Sequence, residues 1–307
     1  MSAAKSDTPL LPAITLLDGG MGQELLKRSS QEITPLWSTQ VMIDEPEIVR
    51  DLHADFIRAG ARVISLNSYT MTPERLARDG NVNDFQKLQL AAVNAATSAR
   101  DRVAIAGVKI AGCLPPLVAS YKAEVAPEYE AMLVSYSKIV AIQAPHVDLF
   151  LCETMSSIAE AKAALVTAKN SGLPVWVSLT IEDNDKGVLR SGELLADAVT
   201  MLDEFGADAK LLNCSKPEAI LASWSKLKSD QGLTGAYGNG FTSIDSLKPG
   251  GTVKSMESRS DLGPAAYAEF ALQWANQGAA LIGGCCEVGP AHIKALARRL
   301  TEAGYSV

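Results

Sequence analysis

Three cysteines raise the first chemical question in this sequence. Cys285 and Cys286 stand side by side directly after Gly283 and Gly284, and Cys214 follows the apolar run that leads into Asn213. Neighbouring residues of a regular strand point to opposite faces, so Cys285 and Cys286 cannot both reach one ion from a strand. The preceding glycines lift that limit, because they accept backbone angles closed to other residues and let the chain turn sharply. A bridge between Cys285 and Cys286 is disfavoured, since consecutive Cα atoms lie ~3.8 Å apart, below the usual disulfide span. Free cysteines often pack as small hydrophobes, but a pair behind Gly-Gly, with a third thiol to join it, reads better as a metal site. Three thiolates and one open position match a catalytic zinc centre rather than a closed structural one.

Such a centre requires an architecture that brings Cys214 to Cys285 and Cys286. The most regular feature of the chain is a joint at which an amphipathic helix ends at glycine and an apolar extended run begins. It occurs at Gly60 before Val63, Gly172 before Val175, Gly206 before Lys210 and Gly278 before Ala280. Each glycine suits the left-handed position that stops a helix. The extended runs are almost continuously apolar, as strands covered by helices on both faces are, which favours a parallel sheet.

Strands are expected near 14–18, 62–67, 103–111, 147–152, 174–179, 208–213, 233–238 and 279–283. Helices follow near 45–59, 82–100, 128–143, 157–170, 192–205, 216–229, 264–277 and 290–303. Eight strand–helix units give an α/β fold, a (β/α)8 TIM barrel of one domain over 1–307, with 1–12 as a flexible tail. A doubly wound open sheet is the competing fold. The polar, Gly- and Ser-rich stretch 241–261 reads as a loop over the mouth of strand seven.

In such a barrel the residues just after each strand line the active site. Here they include Asp18-Gly-Gly20, Asn67-Ser-Tyr69, Cys152-Glu153, Asn213-Cys214, Tyr237-Gly-Asn239 and Gly283-Gly-Cys-Cys286. Cys113 and Cys152 lack companions and read as packing residues, and His53, His146 and His292 fall on or beside helices outside the barrel. Gly19, Gly20 and Gly22 do not make the spacing of a dinucleotide loop, and no phosphate-loop lysine follows.

With 47% hydrophobic and 21% charged residues among 307, the chain has material for a sizeable core. A net charge of −7 argues against a broadly basic surface for nucleic acid or anionic membranes, so small molecules are the expected partners. No signal-peptide pattern and no run of 18 apolar residues occurs, which points to the cytosol. Five cysteines in so long a chain are not a disulfide framework.

Taken together, Leu17-Asp-Gly-Gly-Met-Gly22, Asn67-Ser-Tyr-Thr-Met-Thr-Pro-Glu-Arg-Leu76, Cys152-Glu-Thr154, Asn213-Cys214 and Gly283-Gly-Cys-Cys286 resemble the homocysteine S-methyltransferases. The likeness runs from about Leu16 to the end of the chain, and is strongest to the short enzymes that take methyl from S-methylmethionine. It implies Zn2+ on Cys214, Cys285 and Cys286, with homocysteine as methyl acceptor and methionine as product. A metal-bound thiol is deprotonated outright, whereas a free one is only a few per cent thiolate at neutral pH. The resemblance assigns Glu153 to the homocysteine ammonium, with Asp18 a second positioning group. Backbone amides at Gly19 and Gly20 offer room for the carboxylate.

The donor is expected to be a sulfonium, S-methylmethionine or more slowly S-adenosylmethionine, held by aromatic faces. Trp37 and Tyr69 stand where the family places aromatics around its substrates. Asn239 is a further substrate-site candidate, although Tyr237-Gly-Asn-Gly-Phe241 departs from the family's Asn-Ser-Gly version. The chain is spent on one barrel, which leaves no folate or cobalamin module and favours a monomer. Betaine is the alternative donor on the same fold. A non-catalytic zinc- or thiol-binding barrel and a nicotinamide oxidoreductase on an open sheet are the rival functions.

Overall fold

The computed structural model describes residues 11–30, 34–247, 249–251 and 256–307. Its strands are β1 Thr15–Leu16, β2 Val63–Ser65, β3 Lys109–Leu114, β4 Leu149–Met155, β5 Val175–Leu179, β6 Ala209–Asn213, β7 Leu233–Tyr237 and β8 Leu281–Ile282. All seven ladders are parallel, in the order β1-β8-β7-β6-β5-β4-β3-β2. The remaining seam between β1 and β2 is closed by a parallel bridge, Leu17 to Val63. The expected barrel is therefore the observed one, and the open-sheet alternative is set aside.

The helices are α1 Met21–Arg28, α2 Ser38–Asp44, α3 Pro46–Ala59, α4 Pro73–Asp79, α5 Phe85–Val103, α6 Tyr129–Gln143, α7 Ile158–Lys169, α8 Leu195–Glu204, α9 Pro217–Leu227, α10 Pro264–Asn276 and α11 Pro290–Glu302. Eight of them correspond to the expected ones. The other three, α1, α2 and α4, are seven or eight residues long. They lie in the connections after β1 and β2 and carry residues to the mouth of the barrel. No helix among the described residues is long and apolar enough to cross a membrane.

Strand parity divides the core into two layers, as successive side chains alternate across a strand. Leu149, Leu151, Ala209, Leu211 and Tyr237 pack inside the barrel with Trp176 and Leu281. Phe150, Cys152 and Leu212 face outward into the large layer beneath the helices. Cys152 is thus the packing residue expected of it. Lys210 also points outward and is fully buried, yet its ammonium is satisfied by Asp203, by Ser229 Oγ at 2.6 Å and by the Gln231 carbonyl at 2.6 Å. A buried cation requires such a set of partners.

The joint between α5 and β3 departs from expectation. The third strand begins at Lys109 rather than near 103, because α5 runs on to Val103. Ala104 then turns left-handed at φ 54° and Gly107 at φ 80°, so the apolar residues Val103 and Ile105 belong to a helix end and its turn. The expected tail lies outside the described residues over 1–10. From there Ala13 bridges Ser306 and ties the two ends of the described chain together.

Candidate active site

The carboxyl ends of the strands open into one cavity, and parity explains much of its lining. Glu153 shares the inward parity of Leu149 and Leu151 in β4, so its carboxyl enters the mouth. At the end of β6, Cys214 adopts a left-handed φ of 47°, which turns the chain out of the strand. Trp37, Tyr121 and Glu287, in loops around this mouth, and Thr154, where the register of β4 shifts, also have positive φ. Such conformations cost a non-glycine residue about 1–3 kcal/mol each and gather where a site holds them.

Asn213 ties the end of β4 to the turn that follows β6. Its side-chain oxygen accepts from the Thr154 N–H at 3.1 Å, and its amide donates to Thr154 Oγ1 at 2.8 Å. Glu153 and Cys214 are thereby held in register.

After Ile282 the chain leaves β8 and is hydrogen-bonded on both sides. The Gly284 N–H donates to the Asp18 carbonyl at 3.0 Å, and the Cys285 N–H to the Gly238 carbonyl at 3.0 Å. The Cys286 carbonyl accepts from the Gly240 N–H at 2.9 Å. Gly283 and Gly284 are needed here, but not for unusual angles, since neither has a positive φ. A Cβ on Gly283 would lie 2.6 Å from Leu17 Cβ, and one on Gly284 2.0 Å from the Val288 side chain. They supply room for β1 and the cysteine turn to approach.

The result brings the sulfurs of Cys214, Cys285 and Cys286 within 4.8 Å of one another. Cys214 is 3% exposed, whereas Cys285 and Cys286 are half-buried. One expectation needs correction: Cys214 and Cys285 are joined in a disulfide, with Cα atoms 5.7 Å apart, so only Cys286 of the three is free. No bond joins Cys285 to Cys286. Burial pushes the Cys286 thiol up to about 12, despite the Gln23 amide and Tyr121 hydroxyl acting in the other direction. Such a thiol ionises only if a cation is supplied. Once the disulfide is reduced, the three sulfurs suit a thiophilic ion, because a tetrahedral shell with bonds of ~2.3 Å sets sulfurs roughly 3.8 Å apart.

Two carboxyl groups share the cavity with the cysteines. Asp18 is 6% exposed and accepts the Ser65 N–H at 2.8 Å. Burial holds its pKa well above the usual carboxylate range, the Ser65 amide offsets part of this, and Glu153 adds to the rise. Glu153 is raised to about 7 by burial, eased by the Cys113 thiol beside it. Cys113 therefore touches a site residue as well as packing.

In the same cavity, Trp37 and Tyr69 meet edge to face, with centroids 6.4 Å apart. The Tyr69 hydroxyl shares a 2.8 Å hydrogen bond with Ser120 Oγ. Gly22 provides the seat for Trp37, since a Cβ there would lie 2.2 Å from the indole. Within the described part of 241–261, Leu247, Pro249, Gly250, Gly251 and Met256 lie against the cavity, so this loop does cover the mouth.

Asp18, Gly19, Gly20, Trp37, Tyr69, Glu153, Cys214, Cys285 and Cys286 all line this one cavity. Gly20 differs from its expected use. Its N–H donates to the Val288 carbonyl at 2.9 Å, and a Cβ would strike the Cys285 carbonyl at 2.4 Å. The structure thus gives Gly20 a packing role, and the amide of Gly19 remains for an anion. Asn239 is not among the lining residues. It is buried between Gly238 and Gly240, its side-chain oxygen accepting from the Phe241 N–H at 3.2 Å. It stands behind the cysteine turn, between the two residues that hold it.

Residues that the sequence did not single out complete the lining, among them Gln23, Arg75 and Tyr121. Gln23 is 4% exposed, and its amide lies beside the Cys286 thiol without a well-formed hydrogen bond at either end among the described residues. Its position in α1 was the missing signal. The histidines stay outside this chemistry: His53 is fully buried in α3, and His292 Nδ1 accepts the Gly289 N–H at 3.2 Å at the start of α11.

The family model described as homocysteine S-methyltransferase matches residues 15–300. The homocysteine S-methyltransferase of Escherichia coli strain K12 is 32% identical over 93% of this chain and 95% of its own length. The crystal structure of the homocysteine methyltransferase MmuM from Escherichia coli in its metallated form superposes with a TM-score of 0.78 at 27% identity, covering 93% of this chain and 96% of that one. Its oxidized form gives 0.77 with the same identity and coverage.

Proposed function

Since this chain belongs to the homocysteine S-methyltransferase family and is a methyltransferase, we propose that it transfers methyl from S-methylmethionine to homocysteine, with zinc held by Cys214, Cys285 and Cys286. The observation that carries this reading is the meeting of three cysteine sulfurs with two buried carboxyl groups and an aromatic pair in one cavity. The Escherichia coli relative is described in both metallated and oxidized forms. We take the Cys214–Cys285 disulfide as the oxidised state of this chain, and the reduced cysteines as the metal-binding one.

Zinc bound there would supply the positive charge that keeps a substrate thiol deprotonated near neutral pH. The chain's own residues then bind and orient. Glu153 and Asp18 receive the homocysteine ammonium, whose charge relieves the cost of ionising them in a buried site. The Gly19 amide meets the homocysteine carboxylate. Trp37 and Tyr69 hold the sulfonium through their ring faces without neutralising it.

In the transfer, the homocysteine sulfur forms a bond to the methyl carbon while the methyl–sulfonium bond breaks. Its electron pair stays on the donor sulfur. Homocysteine and S-methylmethionine thus give two methionines, and the thiol proton goes to solvent. Because the leaving group departs as a neutral thioether, no side chain has to act as acid or base. The donor's reactivity sits in its own positive sulfur, and the cavity has only to align it.

The test is methionine formation by reduced, zinc-loaded protein from homocysteine and equal concentrations of S-methylmethionine, S-adenosylmethionine, betaine or methyltetrahydrofolate. S-methylmethionine is expected to react fastest, S-adenosylmethionine more slowly and methyltetrahydrofolate not at all. Reaction from betaine or methyltetrahydrofolate without reaction from S-methylmethionine would overturn the donor assignment.

A further inference from the structure

Arg75 is a buried cation without a carboxylate. It lies in α4, is 8% exposed, and lines the cavity beside the aromatic pair. Its Nε and Nη2 donate to the Pro116 carbonyl at 3.3 and 3.0 Å, and its guanidinium carbon lies 5.5 Å from the centre of the Tyr69 ring. Among the described residues it makes no ion pair, whereas its neighbour Arg78 is held by both oxygens of Asp79 at 2.8 and 2.6 Å. A guanidinium taken out of water without a counter-charge is costly, and such groups are ordinarily paired. Asp79 and Glu160 act on it only through space, so a single carbonyl and a ring face are its direct partners on the wall of a substrate cavity.

We propose that Arg75 binds the carboxylate of the methyl donor, which makes the enzyme selective for sulfonium compounds that carry a carboxylate. The inference rests on the proposed methyl-transfer function and adds the group that reads the donor's far end. The guanidinium lies 5.5 Å from the Tyr69 ring centre, within reach of the short carbon chain between the sulfur and the carboxylate of a sulfonium seated there. The planar fork of arginine suits a carboxylate, and its charge attracts one selectively. Glu153 and Asp18 are assigned to the acceptor's ammonium and the Gly19 amide to its carboxylate, which leaves Arg75 for the carboxylate of the donor.

The experiment compares binding of S-methylmethionine with that of S-methylmethioninamide, its uncharged carboxamide, to reduced zinc-loaded protein by titration calorimetry. Wild type is expected to prefer the carboxylate on the order of 10- to 100-fold. Arg75→Gln is expected to erase that preference while leaving the carboxamide's affinity unchanged, and Arg75→Lys to restore part of it. A merely structural arginine would weaken both ligands alike. That result overturns the proposal, as does equal wild-type affinity for the two ligands or an Arg75→Gln variant that keeps the preference. If Arg75→Gln does not fold, judged by circular dichroism, the wild-type comparison and Arg75→Lys still decide. Methionine formation, followed on the same samples, reports the transfer reaction independently. Carboxylate-selective binding without product would leave the Arg75 assignment standing and remove the proposed reaction.

Discussion

Cys286→Ala is expected to lose stoichiometric zinc and all detectable methionine formation. Cys286 is the free member of the trio, so this change leaves the Cys214–Cys285 pair untouched and separates metal binding from the disulfide. Outer-shell partners of a metal typically contribute about 10–100-fold to affinity or activity. A direct ligand should exceed that, because an incomplete shell neither holds the ion nor fixes its charge. Cys214→Ala and Cys285→Ala should behave alike under reducing conditions. Metal analysis after gel filtration, paired with the methionine assay, checks this. A Cys286→Ala protein that retains one zinc per chain would remove the cysteine from the metal site.

Glu153→Gln should weaken homocysteine rather than zinc. The substitution keeps the shape of the side chain and removes the charge that meets the ammonium. Losing a charge-assisted hydrogen bond costs roughly 1.5–3 kcal/mol, so KM for homocysteine should rise on the order of 10- to 100-fold with zinc content unchanged. The pH dependence follows from the direction of the shift. Burial raises the Glu153 pKa to about 7, so the group is neutral below that value and charged above it. In wild type, kcat/KM for homocysteine should therefore fall as pH drops through about 7. In Glu153→Gln that acid limb should shrink to what Asp18, also raised by burial, contributes. An unchanged KM with lost metal would instead assign Glu153 to the zinc shell.

The parts of the fold that could be read in the sequence were those with a repeated physical signal. Glycines at 60, 172, 206 and 278 all have positive φ, as helix stops should. Nearly continuous apolar runs such as Val175–Leu179, broken only by Ser178, are buried along their whole length. Short helices gave no such signal, because seven or eight residues span barely two turns and show little periodicity. Missing α1 and α4 meant missing Gln23 and Arg75.

The site was legible where chemistry is concentrated in rare residue types next to a strand end, as at Cys214, Glu153 and Cys285-Cys286. It was illegible where burial and partnership decide. Nothing in the residue type shows that Arg75 lacks a carboxylate while Arg78 has one, that Cys113 touches Glu153, or that the Gly20 amide is occupied by Val288. Gly283 and Gly284 were read as angle-permitting, and the structure shows them needed for close approach. Cys214 pairing with Cys285 was outside the reading, since distance through space between residues so far apart in the chain is set only by the closed barrel.

Methyl transfer is proposed to depend on zinc held jointly by Cys214, Cys285 and Cys286. X-ray absorption at the zinc edge, on reduced protein loaded with one equivalent of zinc, tests it most directly. Three sulfur neighbours at about 2.3 Å are expected, falling to two in Cys286→Ala at whatever zinc occupancy survives. A zinc shell of nitrogen and oxygen alone, or one unchanged by the loss of Cys286, would contradict it.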